Sequence, residues 1–149
     1  MTVAAPSDAA VGVLRVADAM LWRPKTWPED LTVAEARAAL ENDHVHLLLL
    51  TSGDRLFGTV TRDDVESTSS DPASPALRLA RLAGRTTSPS TSLVVARRAM
   101  DAAGSRRVAV VADDGTLVGL LCLKRRRHGY CSDADVAARA AERTAAGVV

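Results

Sequence analysis

The chain has 149 residues, of which 47% are hydrophobic, 25% charged and 3% aromatic, and its formal net charge is +1. This is globular composition, enough for one ordinary core or for two small motifs that share one. It excludes an apolar span of the roughly 20 residues that a bilayer requires, because the longest apolar run, Val45–Leu50, is strand-sized and broken by His46. It also excludes a whole-chain attraction to nucleic acid or to an anionic membrane.

The N-terminal stretch Met1–Ala10 has no basic segment followed by an apolar one, so a secretory leader is not expected. Cys122 and Cys131 allow at most one disulfide, and a cytoplasmic chain with reduced thiols is the simpler expectation.

In chain order, the pattern predicts a first helix over Ala9–Met20. Thr32 then caps a helix, with Glu35 three residues on as its reciprocal partner and Val33, Ala36 and Leu40 as its apolar stripe. Val45–Leu50 reads as a buried strand, Ser52-Gly53-Asp54 as a turn and Leu56–Thr61 as the returning strand of a hairpin. The stretch Thr61–Thr68 opens a short helix, and Ser67–Pro75 reads as a linker. A helix is predicted over Pro75–Ala83, with Ser74 as cap and Gly84 beyond its end. Ser92 caps another, which runs to about Ala103 and stops at Gly104. Arg107–Ala112, the turn Asp113-Asp114-Gly115 and Leu117–Leu123 make a second hairpin. An amphipathic helix from Ser132 to about Ala146 closes the chain.

These elements contain a duplication. Thr32–Leu40 aligns with Ser92–Met100 at an offset of 60 residues, and Leu47–Gly58 aligns with Val108–Gly119 at 61. One such unit is too small to bury its own helix stripe and sheet face. The repeat therefore predicts a pseudo-twofold pair over 9–68 and 74–128, followed by the helix at 132–147, with a ligand site in the seam between the copies.

The helix ending in VADAM (Val16–Met20), then Thr26, then TVAEARAAL and LLLLTSGDRLFGTVTRDDV, resembles a cystathionine-β-synthase-type (CBS) domain. VAVVADDGTLVGLL resembles the second member of a CBS pair, or Bateman module, and the likeness covers roughly Val13–Lys124. Its most specific part is Gly58, two further residues, Thr61, two variable residues and Asp64, at the end of a hairpin. The resemblance implies a mixed α+β fold of tandem β-α-β-β-α motifs, assembly as a homodimer, no catalysis and no required cofactor. It also implies the sensing of an adenosine ligand (AMP, ADP, ATP or S-adenosylmethionine), and regulation of a partner protein.

The chemistry of the residues suits such a ligand. Asp64 would repel a phosphate but can accept both hydroxyls of a ribose diol. Thr61, one turn earlier, can face a phosphate with its hydroxyl and the N–H groups that follow it, and Arg62 can supply charge. The base is expected at the backbone of Thr26 and Trp27, where the family uses an extended strand, and Trp27 could either stack on it or cover the core. A bland alternative covers Thr61–Asp64, which could be a helix cap with an acid in the first turn. Copy two departs from the pattern, with Cys122 where Thr61 stands and Arg125 where Asp64 stands. A guanidinium cannot accept from a ribose, so one ribose site per chain is expected, and Arg125 could instead meet phosphates.

Other readings rank lower. Lys124-Arg125-Arg126-Arg127-His128 is a solvated loop, a phosphate or acidic-partner contact or, last, a nucleic-acid contact that lacks interleaved aromatics. Cys122, His128 and Cys131 match no common zinc spacing. Cys122 reads as core and Cys131 as an exposed thiol. His44 and His46 share a face if a strand has begun there. Phosphate-loop, nucleophile-elbow and zinc-protease patterns are absent. A ligand-free dimerisation scaffold is the main rival to a sensor.

Overall fold

The structure is a computed structural model, described here for residues 14–67 and 69–132. Its helices are α1 (Val16–Ala19), α2 (Val33–Leu40), α3 (Arg62–Glu66) and α4 (Leu93–Ala103), with a 3-10 turn at Ala76–Leu79. Its strands are β1 (Trp27–Pro28), β2 (Leu47–Ser52), β3 (Arg55–Thr61), β4 (Thr86–Thr87), β5 (Arg107–Val111) and β6 (Leu117–Cys122). They form two three-stranded sheets, β1-β2-β3 and β4-β5-β6, so the fold is mixed α+β. Among the described residues no helix is long and apolar enough to cross a membrane.

Local chemistry sets the helix ends. Thr32 and Glu35 form the reciprocal cap of α2: the Glu35 N–H donates to Thr32 Oγ1 at 3.1 Å and the Thr32 N–H to Glu35 Oε1 at 2.9 Å. Val33, Ala36 and Leu40 turn inward from it. At the matching start of α4 the third position is Val95, which cannot reciprocate, and the Ser92 side chain makes no capping bond. Gly104 ends α4 at φ +66°, a conformation that disfavours any Cβ.

The chain divides into two compact units. One takes Met1–Arg23, Thr87–Val110 and Val118–Val149; the other takes Pro24–Thr86 and Val111–Leu117. Laid over the repeat boundaries 9–68 and 74–128, this means that the segment leading into each copy packs with the hairpin of the other. In the first unit Leu21 pairs with Leu120 and Arg15 with Ser92. In the second unit Arg81 pairs with Thr59 and Thr32 with Pro75, the same two pairings shifted by one repeat. The cores obey the same rule. Val16 joins Leu93, Ala96, Met100 and Leu121, while Ala76 joins Leu31, Ala36, Leu40 and Val60.

Two glycines admit these crossing segments. A Cβ on Gly58 would lie 2.4 Å from Ala80 Cβ, and one on Gly119 would lie 2.5 Å from the Leu21 carbonyl oxygen. Each glycine sits one residue before the bridging position of its strand, where a side chain would hold the incoming backbone off.

Several expected boundaries change for the same reason. The helix expected over Pro75–Ala83 is only the 3-10 turn Ala76–Leu79, because Ala80 is extended and Arg81 is already bonded to Thr59 by Thr59 N–H to Arg81 O at 3.0 Å and Arg81 N–H to Thr59 O at 2.9 Å. Ser74 does not cap it, since its hydroxyl donates to Asp71 O at 2.6 Å. Of the helix expected over Ala9–Met20, the described part is α1, which ends when Met20 turns extended to deliver Leu21 to Leu120. The first long strand starts at Leu47 rather than Val45. Before it, the Val45 N–H donates to Asn42 O and the His44 N–H to Asn42 Oδ1, a turn that keeps His44 and His46 off the ladder. The helix expected from Ser132 to Ala146 lies outside the described residues.

Candidate functional site

The unit Pro24–Thr86 plus Val111–Leu117 carries Thr26, Trp27, Thr61, Arg62 and Asp64. β1 runs parallel to β2 with Trp27 beside Leu50, and β3 runs antiparallel to β2 with Gly58 beside Leu50 and Thr61 beside Leu47. Trp27 and Thr61 therefore stand two strands apart and three residues out of register. At ordinary sheet spacings that is about 10 Å across and about 10 Å along. The structure brings Thr61 and Asp64 together and leaves Trp27 on the far strand of the same sheet, with Thr26 just before that strand. Thr26 is exposed and Trp27 half-buried. Lys25 Nζ lies 5.2 Å from the centroid of the Trp27 ring, a cation–π contact that occupies one face of the indole.

Thr61 is the last residue of β3 and the N-cap of α3. The Thr61 N–H donates to Asp64 Oδ2 at 2.8 Å, and the Asp64 N–H donates to Thr61 Oγ1 at 3.3 Å. The capping geometry weighed for Thr61–Asp64 is thus present, and it fixes the Asp64 rotamer. A residue outside the sequence expectation completes the arrangement. Arg85 donates from Nη1 to Asp64 Oδ2 at 2.7 Å and from Nη2 to Oδ1 at 3.1 Å, a bidentate pair. Nη1 also donates to the Thr59 carbonyl at 3.1 Å. The Asp64 side chain is 7% exposed and that of Arg85 21%.

Burial by itself raises the Asp64 carboxyl. The hydrogen bonds from Arg85 and from the Thr61 backbone, together with the charge of Arg85, outweigh it and hold the group below the ordinary carboxylate range. The site therefore presents an ionised carboxylate that is almost fully enclosed and oriented on both oxygens.

Arg62 points elsewhere. Its Nη2 donates to the carbonyls of Leu40 and Val45, the latter at 3.2 Å. It closes the C-terminal end of α2 and the turn before β2, away from the Asp64 carboxylate that Thr61 and Arg85 hold. Arg125 lies exposed in the turn after β6, in the other unit. Cys131, expected as an exposed thiol, is buried at 6%, and Cys122 at 3%, as a core residue should be. Among the described residues no three His, Cys, Asp or Glu side chains come together as metal ligands do.

Arg85 escaped the sequence reading because it is 21 residues from Asp64 and outside both aligned blocks. Its signal was positional. It follows Gly84, whose φ of +75° turns the chain after the Arg81–Thr59 bridge and sends the next side chain back along β3.

The family model described as the CBS domain matches residues 85–125. No curated protein matches the sequence. Among solved structures, the CBS domain protein PAE2072 from Pyrobaculum aerophilum, complexed with AMP, is similar at 27% identity and a TM-score of 0.61, over 73% of this chain and 87% of that one. The CBS pair domain of SO5017 from Shewanella oneidensis MR-1 is similar at 22% identity and a TM-score of 0.62, over 72% of this chain, which spans 64% of that domain. The CBS domain pair of MJ0100, in complex with 5′-methylthioadenosine and S-adenosyl-L-methionine, is similar at 17% identity and a TM-score of 0.59, over 74% of this chain and 90% of that one. The matched segment and the shared fold agree with the duplication and the crossed pairings described above: residues 85–125 match the CBS domain, and the chain has the fold of a CBS domain pair.

Proposed function

We propose that the chain is a non-catalytic regulatory module that binds one adenine nucleotide, or S-adenosylmethionine, at the β3–α3 junction and signals to a partner protein in trans. The observation that carries this reading is the Asp64 carboxylate, ionised, 7% exposed and aimed by Thr61 and Arg85. A ribose diol offers two O–H donors in place of the two N–H donors of Arg85. Arg85, released by that exchange, can turn to the ligand's phosphate or carboxylate, while Asp64 keeps the Thr61 N–H and the two hydroxyls as its donors. The Thr61 hydroxyl serves its cap as an acceptor and keeps its proton to give to a ligand oxygen. Thr26 and Trp27, about 10 Å across and about 10 Å along the sheet from Thr61, take the base. The AMP complex of the Pyrobaculum protein and the S-adenosyl-L-methionine complex of MJ0100 support the ligand class. In this reading the module is cytoplasmic and dimeric, and Val94 and Val95, 50% and 55% exposed on α4, supply apolar surface for the contact.

A second reading, a ligand-free scaffold, draws on two observations. Copy two has Cys122 and Arg125 at the Thr61 and Asp64 positions, and Asp64 already accepts three N–H donors. A thermal-shift panel of AMP, ADP, ATP and S-adenosylmethionine separates the two. Ligand at 100 times its dissociation constant stabilises by about 2.7 kcal/mol, and Asp64→Ala should then weaken binding by about tenfold or more. A protein that sediments as a dimer and responds to none of the four is a scaffold.

A further inference from the structure

We infer that Cys122 and Cys131 are a dithiol–disulfide couple that clasps the basic turn, a role independent of nucleotide binding. Cys122 ends β6, and the chain returns through Lys124-Arg125-Arg126-Arg127-His128-Gly129 to Cys131. Leu123 and Tyr130 pair antiparallel across this return, with Lys124 N–H donating to Gly129 O at 2.8 Å and Cys131 N–H to Cys122 O at 2.7 Å. That register puts the two cysteines directly opposite one another. Opposite residues of this kind have Cα atoms about 5.5 Å apart, the separation that disulfides most often show. The side chains meet accordingly, with the two Sγ atoms 2.8 Å apart in a small apolar cluster with Leu21 and Leu120.

The pair closes a turn that other groups already hold. Arg127, at φ +63°, donates from Nη1 to Asp101 at 2.6 Å, and its carbonyl accepts from Arg97 Nη2 at 2.7 Å. Both cysteines are buried, so an oxidant gains access only when the turn opens. The oxidant is a low-molecular-weight disulfide. The thiolate of one cysteine attacks it, forming a mixed disulfide and expelling one small thiolate. The second cysteine, as thiolate, attacks the protein sulfur of that mixed disulfide and expels the other. Two protein thiols are oxidised, one small disulfide is reduced to two small thiols, and these take the two protons.

The test uses the full chain, incubated at neutral pH with excess oxidised glutathione, then denatured with an alkylating reagent and weighed by mass spectrometry. The expected product is a monomeric chain about 2 Da lighter that takes up no alkyl group. Trypsin cuts within Lys124–Arg127, so the peptides that contain Cys122 and Cys131 should then travel together until a reductant separates them. Cys131→Ser should leave Cys122 either alkylated or carrying glutathione, with no internal bridge. Wild-type chain that is still alkylated twice after the oxidation, that carries two glutathiones, or that is bridged between chains, overturns the inference.

Discussion

Arg85 and Asp64 should be worth more to each other than either is to the rest of the fold. Arg85→Ala removes two charge-assisted bonds from a carboxylate that is 7% exposed, and leaves it with the Thr61 N–H. Asp64→Ala leaves Arg85 on the Thr59 carbonyl and removes one half of the reciprocal cap of α3, the Thr61 N–H bond to the carboxylate. Hydrogen bonds to charged groups contribute about 1.5–3 kcal/mol each when buried. Because Arg85 is 21% exposed and water can follow it to the carboxylate, solvent screening brings the two bonds together below twice the low end of that range, and the pair should couple by about 2 kcal/mol in a double-mutant cycle. With a urea slope of about 2 kcal/mol per molar, Arg85→Ala alone should move the unfolding midpoint by about 1 M. Trp22 and Trp27 fluorescence reports the transition. The coupling also has a pH signature. The folded carboxyl titrates below its unfolded value of about 3.9, so its stabilisation is complete above that value. It fades as pH falls between the unfolded and the folded pKa, and is gone below the latter. A coupling under about 0.5 kcal/mol at neutral pH, or one that persists once Asp64 is protonated, would refute this account of the site.

Two further outcomes follow from the geometry. Gly58→Ala and Gly119→Ala should each destabilise by about 1–3 kcal/mol in the same urea assay. Gly119→Ala should be the worse, because its methyl meets the Leu21 carbonyl and Met20 as well, whereas that of Gly58→Ala meets the Ala80 methyl. Wild-type midpoints for both would mean that the crossing segments can retreat. Arg62→Ala should lower stability by about 1–2 kcal/mol and leave nucleotide affinity unchanged, since its guanidinium serves the Leu40 and Val45 carbonyls. Calorimetric titration of the variant with AMP decides this, and a tenfold loss of affinity would return Arg62 to the phosphate.

The elements legible in the sequence are those written in local chemistry. The Thr32–Glu35 cap, the Gly104 stop and both hairpins needed only neighbours within a few residues, and the offset of 60 residues between the copies exposed the duplication. What failed was set by pairing at a distance. Pro75–Ala83 has the composition of a helix, yet the Arg81–Thr59 bridge holds its second half extended. No periodicity within those nine residues encodes a partner on another strand. Arg85 was hidden for the same reason, and Cys131 looked exposed because the basic run before it suggested solvent, while the Leu123–Tyr130 pairing folds it back into the core.

The crossed pairings also distinguish the surroundings of Asp64 in copy one from those of the matching position in copy two. Arg81 docks on Thr59, and four residues later Arg85 reaches Asp64, so the cation that partners the acid of copy one is supplied by the segment that leads into copy two. The corresponding cation before copy one, one repeat earlier, is Lys25, and it lies over the Trp27 ring. At the position that matches Asp64, copy two carries Arg125, and at the position that matches Thr61 it carries Cys122, which packs with Cys131. The acid and the capping threonine are therefore both replaced in copy two, and the cation that corresponds to Arg85 is engaged with an aromatic ring. A buried carboxylate is tolerable only with its donors in place, and in copy one Arg85 and the Thr61 N–H supply them. The two halves therefore differ as whole arrangements: one encloses a carboxylate with its cation, and the other fills the position matching Thr61 with a sulfur packed against Cys131.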